Sequence, residues 1–126
     1  MQELDRIGQK FIKRKIAERC VKLRYRAKTQ NLDFNLTQEY LLQIFPTDCR
    51  CPALGVPFNW FGEHNNVPSV DRVIPERGYT QGNVVWVSRL ANQIMSSAHP
   101  SQVIQVGKFA EKIFKQLYPK LKKTGF

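Results

Sequence analysis

Residues 69–97, reading SVDRVIPERGYTQGNVVWVSRLANQIMSS, constrain the fold of this chain more than any other stretch. A β-branched run at 69–74 carries Asp71, Pro75, Gly78 and Gly82 mark a turn, and a second β-rich run follows at 83–87. The pattern then turns helix-like and carries Asn92. β-Branched residues suit strands while Pro and Gly punctuate them, so the order predicts strand, turn, strand, helix. Asp71 and Asn92 both present oxygen donors, the hard ligand type a Mg²⁺-like ion takes. Taken singly, Asp71 reads as a surface carboxylate paired with an arginine, and Asn92 as an ordinary helix residue. Together, on a strand and the helix that follows it, they point to a one-metal pocket.

Motifs spread along the chain sharpen this reading. Cys51-Pro52-Ala53-Leu54-Gly55 fits the pattern CPxLG, and Ser69-Val70-Asp71-Arg72-Val73 is close to SLDRI. Gly78-Tyr79, Gly82-Asn83-Val84 and Ser88-Arg89-Leu90-Ala91-Asn92 follow in the same order. In this the chain resembles small phage-encoded proteins of the HNH-like group, whose ββα-metal finger binds one divalent ion and cleaves phosphodiester bonds. The likeness runs from about residue 27 to residue 114. It implies that Asp71 and Asn92 hold one Mg²⁺ or Mn²⁺ ion, and that Asn83 braces the hairpin. Asn83 also has a local reason for that role, because beside Gly82 it can tie the turn by side-chain hydrogen bonds. One departure matters: the family's general base is a His directly after the Asp, and this chain has Arg72 there. A guanidinium keeps its proton and cannot accept one from water, although it can bind phosphate and stabilise transition-state charge.

The charge points to a polyanionic partner. The chain has 126 residues and a net charge of +10. Residues 1–30 hold ten Lys and Arg against three acids, and residues 108–126 hold six against one. Residues 31–107 hold four basic and six acidic residues, so the whole excess lies on the flanks of the finger. DNA, double-stranded by preference, fits such flanks, and attraction of this kind weakens steeply with salt. RNA stays open as a substrate, since the same flanks would hold either polymer. Charges interrupt every apolar run, so no membrane span is expected. Three cysteines, an odd number, and no secretory-type apolar leader point to an intracellular site. If the chain is phage-encoded, that site is the cytoplasm of an infected bacterial host.

The remaining elements are expected to surround the finger. Leu4, Ile7, Phe11, Ile16, Cys20 and Leu23 recur at helical spacing through residues 2–28. On that helix Lys10, Lys13, Arg14, Lys15, Arg19, Lys22, Arg24, Arg26 and Lys28 form the candidate nucleic-acid-binding surface. Thr37 caps a short helix to Phe45, and residues 56–61 form a possible edge strand. The polar loop at 62–68 is a candidate wall of the pocket. Pro100 opens a C-terminal helix whose apolar face suits packing over the sheet, and Lys120, Lys122 and Lys123 form a basic tail. Cys49 and Cys51 lack the second ligand pair that structural zinc wants, so packing roles are expected and no structural zinc. Trp60 and Trp86 are expected as core anchors, and His99 as a helix cap.

The sequence thus predicts an α+β fold in a single HNH-like domain over residues 1–126. Residues 1–30 form the basic helix, 31–68 a short helix and loops, 69–98 the ββα finger, and 99–126 the C-terminal helix and tail. The expected function is a metal-dependent DNA endonuclease or nickase of HNH type. Arg72 would stabilise the pentacovalent phosphate, with His64, Tyr79 or a metal-polarised water supplying the attacking hydroxide. Two alternatives stand beside it. One is a catalytically inactive HNH-like DNA-binding or assembly protein. The other is a module that docks on an acidic surface of a phage or host protein. Arg72 has a second reading too, as a partner of Glu76.

Overall fold

The first helix is long because nothing in its sequence stops it: α1 runs Glu3–Thr29 with neither Pro nor a β-branched cluster. Ile16, Cys20, Leu23 and Ala27, spaced four and three residues apart, bury one stripe of it. This computed structural model describes residues 3–61 and 65–121, and the side chains from residue 6 onward. His64, Lys122, Lys123 and the Leu4 side chain lie outside them. The helix α2, Gln38–Gln43, starts where Thr37 accepts a hydrogen bond from the Tyr40 N–H at 3.0 Å. That side-chain oxygen satisfies one of the donors every helix start leaves free.

β1, Pro68–Arg72, pairs antiparallel with β2, Val84–Ser88, as the two-stranded sheet. The register sets Val70 opposite Trp86 and Asp71 opposite Val85. Side chains alternate along a strand, so Val70, Trp86 and Val84 share one face while Ser69, Asp71, Val85 and Val87 share the other. The first face meets α1 and α2 in the main core, with Trp86 at its centre, 1% exposed. The Trp86 indole N–H donates to the Leu41 carbonyl at 2.9 Å, and its ring meets Phe45 and Trp60 edge-on. The second face carries α3, Arg89–Met95, packed through Ala91 and Met95 onto Val87 and Cys51. Ser88 caps that helix, its hydroxyl accepting from the Ala91 N–H. Element order and layers therefore make a strand–turn–strand–helix finger on α+β surroundings.

Several expectations change. Residues 56–61 do not form a strand; only Pro57 bridges Arg50. That bridge rests on the Cys51 and Phe58 N–H groups, which donate to the Val56 and Cys49 carbonyls, and Phe58 and Trp60 turn to the aromatic cluster around Phe45 instead of extending it. The described part of the 62–68 loop does not line the pocket. Its Asn65 and Val67 carbonyls accept from the Leu90 and Arg89 N–H groups, so it anchors the start of α3. The largest difference is α4, Pro100–Leu117, which does not pack over the sheet. None of its residues is buried. It is held at its start, where the Gln102 side chain accepts from the His99 N–H and His99 bonds Glu76 at 2.7 Å.

Candidate active site

β1 leaves one edge unpaired in the two-stranded sheet, and the site straddles that edge. A cavity of about 430 Å³ is lined by Arg26 and Gln30 from α1, by Val70, Asp71 and Arg72 from β1, and by Pro75 and Tyr79 from the hairpin. Arg89, Asn92, Gln93, Ser96 and Ser97 close it from α3. Strand alternation sends Asp71 and Arg72 to opposite faces of the sheet. They still reach one cavity, because it wraps around the free edge between α1 on one face and α3 on the other.

Asp71 is 9% exposed, yet no side chain among the described residues hydrogen-bonds its carboxylate. Burial pushes its carboxyl above the usual carboxylate range, against the lowering pull of the Arg72 guanidinium and backbone N–H. With the Arg72 backbone N–H as its hydrogen-bond donor and no side chain bonded to it, the carboxylate keeps lone pairs for a ligand in the cavity. Asn92 stands on α3, and its Nδ2 donates to the Ser69 hydroxyl at 2.8 Å. That bond fixes which way the carboxamide faces. Its Oδ1 takes no hydrogen bond from the described residues, so it is the atom left for the cavity. Ser69 was not foreseen from the sequence, although strand alternation already put it on the Asp71 face two residues away.

The hairpin holds the opposite wall. Asn83 ties it from inside: its Oδ1 accepts from the Ile74 N–H, and its Nδ2 donates to the Ile74 and Gly78 carbonyls. Gly78 adopts φ +72°, and a Cβ there would meet the Asp33 carbonyl oxygen at 2.5 Å. Only glycine fits that approach, which lets the Tyr79 N–H donate to Asp33 and buries Tyr79 to 3% exposure. Tyr79 Oη lies 3.4 Å from Arg26 Nη1. The Arg72 guanidinium stacks 5.2 Å over the Tyr79 ring and donates to the Pro75 carbonyl at 3.1 Å. Arg72 therefore turns toward the cavity wall; His99 takes the direct contact with Glu76, and the Arg72 charge only adds to the lowering of that carboxyl.

Three arginines to one carboxylate make the cavity favourable to an anion such as phosphate. Among the described residues no three His, Cys, Asp or Glu side chains gather as for a protein-only metal cage. A Mg²⁺ ion needs no such cage, because it binds through one or two carboxylates, retained waters and substrate phosphate. The Asp71 and Asn92 oxygens fit that donor set. Of the basic residues on α1, Arg26 enters the cavity, Arg19 donates to the Pro68 carbonyl at 3.2 Å, and Arg24 lies over the Phe34 ring. Lys10, Lys13, Arg14, Lys22 and Lys28 are exposed, and Lys15 is half-buried beside Glu18. Cys51 is buried, its sulfur accepting from the Ser88 N–H, and Cys49 is exposed.

The architecture is that of an HNH-like fold. A solved structure of the rare-cutting HNH restriction endonuclease PacI, described for the way it perturbs DNA, superposes on this chain with a TM-score of 0.58. The two are 20% identical, and the match covers 81% of this chain and 80% of that one. At that identity the likeness is one of fold. No family model matches the chain, and no curated protein matches it. Among the described residues, no helix is long and apolar enough to cross a membrane.

Proposed function

We propose that this chain is a metal-dependent DNA endonuclease or nickase of HNH type, acting as one domain over residues 1–126. The observation that carries the reading is that Asp71 and Asn92 both line one arginine-rich cavity on an HNH-like fold. Asp71 and Asn92 would hold one Mg²⁺ or Mn²⁺ ion. Such an ion supplies neutralisation of phosphate charge and of the departing 3′-oxygen. Arg72 has two anchors, the Pro75 carbonyl and the Tyr79 ring, and keeps further N–H donors for the phosphate oxygens. Arg26 and Arg89 face the same cavity from opposite sides and orient the DNA strand. Water would attack phosphorus as the P–O3′ bond breaks, its proton passing to His64, to solvent, or to Tyr79 Oη as that hydroxyl hands its own proton on. The exposed lysines of α1 hold the flanking duplex, and binding falls steeply with salt.

One observation favours a second reading. Arg72 is built into the hairpin where a general base would stand, which suits an inactive HNH-like protein that binds DNA. Nicking of supercoiled plasmid separates the two. The enzyme reading expects cleavage with Mg²⁺ or Mn²⁺ and none with chelator. It also expects a loss on the order of 100-fold or more in Asp71→Ala and Asn92→Ala. Cleavage that survives both substitutions sinks the proposed site. Tight binding with no cleavage in any metal establishes the second reading.

A further inference from the structure

The apolar face of α4 has no partner among the described residues. Val106 is 66% exposed and Leu117 63%, and Phe109 and Phe114 stand in solvent beside them. Such a face is stable in water only when something covers it. We propose that a second copy of this chain covers it, pairing α4 with α4 about a two-fold axis.

Four features single out that occupant. Val103, Val106, Ala110, Ile113 and Leu117 recur at steps of three, four, three and four residues, the spacing of a seam between two helices. Ala110 lies at the middle of the seam with larger residues on either side. An antiparallel pair therefore sets the small centre against itself and matches each end to its opposite, as a two-fold interface requires. On and beside the seam, Val106, Phe109, Phe114 and Leu117 at 37–66% exposure offer roughly 400 Å² per copy, about half of the ~800 Å² that a standard interface takes from each partner. Beside the helix start lies an apolar groove of about 390 Å³, between α4 and the Val73, Val85, Met95 and Ala98 side chains. That groove extends the covered surface onto the body of the partner.

The charges agree. At 100° per residue, Lys108, Lys112 and Lys115 fall on the side opposite the seam. Two copies meet without bringing like charges together. A helix lying on an anionic membrane also carries its lysines opposite its apolar face, but it needs no alternating three- and four-residue seam with a small residue at its middle. An acidic protein partner would find no cation on this face to pair with.

Sedimentation equilibrium across a concentration series tests the pairing. The expected mass is twice the 14.7 kDa of one chain, falling to the single-chain value in Val106→Glu and Leu117→Glu. Each substitution should raise the dimer dissociation constant by about 100-fold or more, as burying an unpaired charge does. Both positions are exposed in the single chain, so circular dichroism and thermal melting of the diluted variants should match the parent. A parent that sediments as one chain up to ~100 µM, far above a specific dimer's range, overturns the proposal. So does a dimer indifferent to both substitutions. Flotation with anionic vesicles by a chain that stays monomeric in solution overturns it in favour of a membrane surface. None of these outcomes depends on DNA cleavage, so the pairing and the nuclease reading fail separately.

Discussion

The finger and the C-terminal helix contrast two ways in which a sequence leaves a demand unmet. In the finger the unmet demand is polar: Asp71 is buried without a hydrogen-bonding side chain, and the Asn92 oxygen is left over after Ser69 takes the nitrogen. In α4 it is apolar: a helix with a hydrophobic side, none of whose residues is buried. The finger is held by a packed core and a braced hairpin, so its polar vacancy keeps a defined shape. α4 is held by one cap and the His99–Glu76 bond, so its vacancy is an open surface. A rigid pocket suits a small hard ligand; an open helix face suits another protein face.

The contrast can be broken by stability. Trp86→Ala removes the centre of the main core and its bond to Leu41, and should cost about 3–5 kcal/mol in denaturant unfolding. Phe109→Ala on α4, measured on dilute monomer, should change stability by less than about 0.5 kcal/mol. Comparable losses from the two would mean that α4 is packed on the core after all.

A smaller effect sharpens the polar side. Ser69→Ala leaves the sheet intact and frees the Asn92 carboxamide to rotate. Cleavage in Mg²⁺ should fall about 10-fold, with metal titration shifted to higher concentration and DNA binding unchanged. Full activity in this variant would show that Asn92 needs no second tether.

The smallest effect follows from Asp71. Its folded pKa is raised by burial, so the native state takes up this proton at a higher pH than the unfolded chain does. Lowering the pH through that folded value therefore relieves a cost, and the ionised carboxylate destabilises the metal-free protein at neutral pH. Asp71→Asn should raise Tm without metal, while abolishing cleavage. Adding Mg²⁺ should raise Tm in the parent and not in the variant. A variant that melts lower than the parent at neutral pH would contradict the assignment.

Much of the finger was legible because its causes are local. β-Branched runs, a turn with Gly78 and Gly82, and Asn83 at the start of the second strand fall within a stretch short enough for neighbours to dictate shape. Arg26 and Gln30 were not legible as cavity residues, because nothing near them in the chain says that the end of α1 meets the free edge of β1. Ser69 was half legible: alternation gave its face, but not the helix that would reach it. The strand expected at 56–61 failed because Phe58 and Trp60 turn to the core instead of extending the bridge between Pro57 and Arg50.

By itself, the amino-acid order determined periodicity: which side of each helix and strand is apolar, where turns fall, and which residues carry oxygen or charge. Only the tertiary structure decided which of those sides meet. Helical and strand periods arise from bonds between near neighbours, whereas the choice of partner for a face depends on contacts between distant segments. That is why the face of α4 could be read from the chain and its neighbour could not. It is also why Asp71, Asn92 and Arg26 came together as one cavity only in three dimensions.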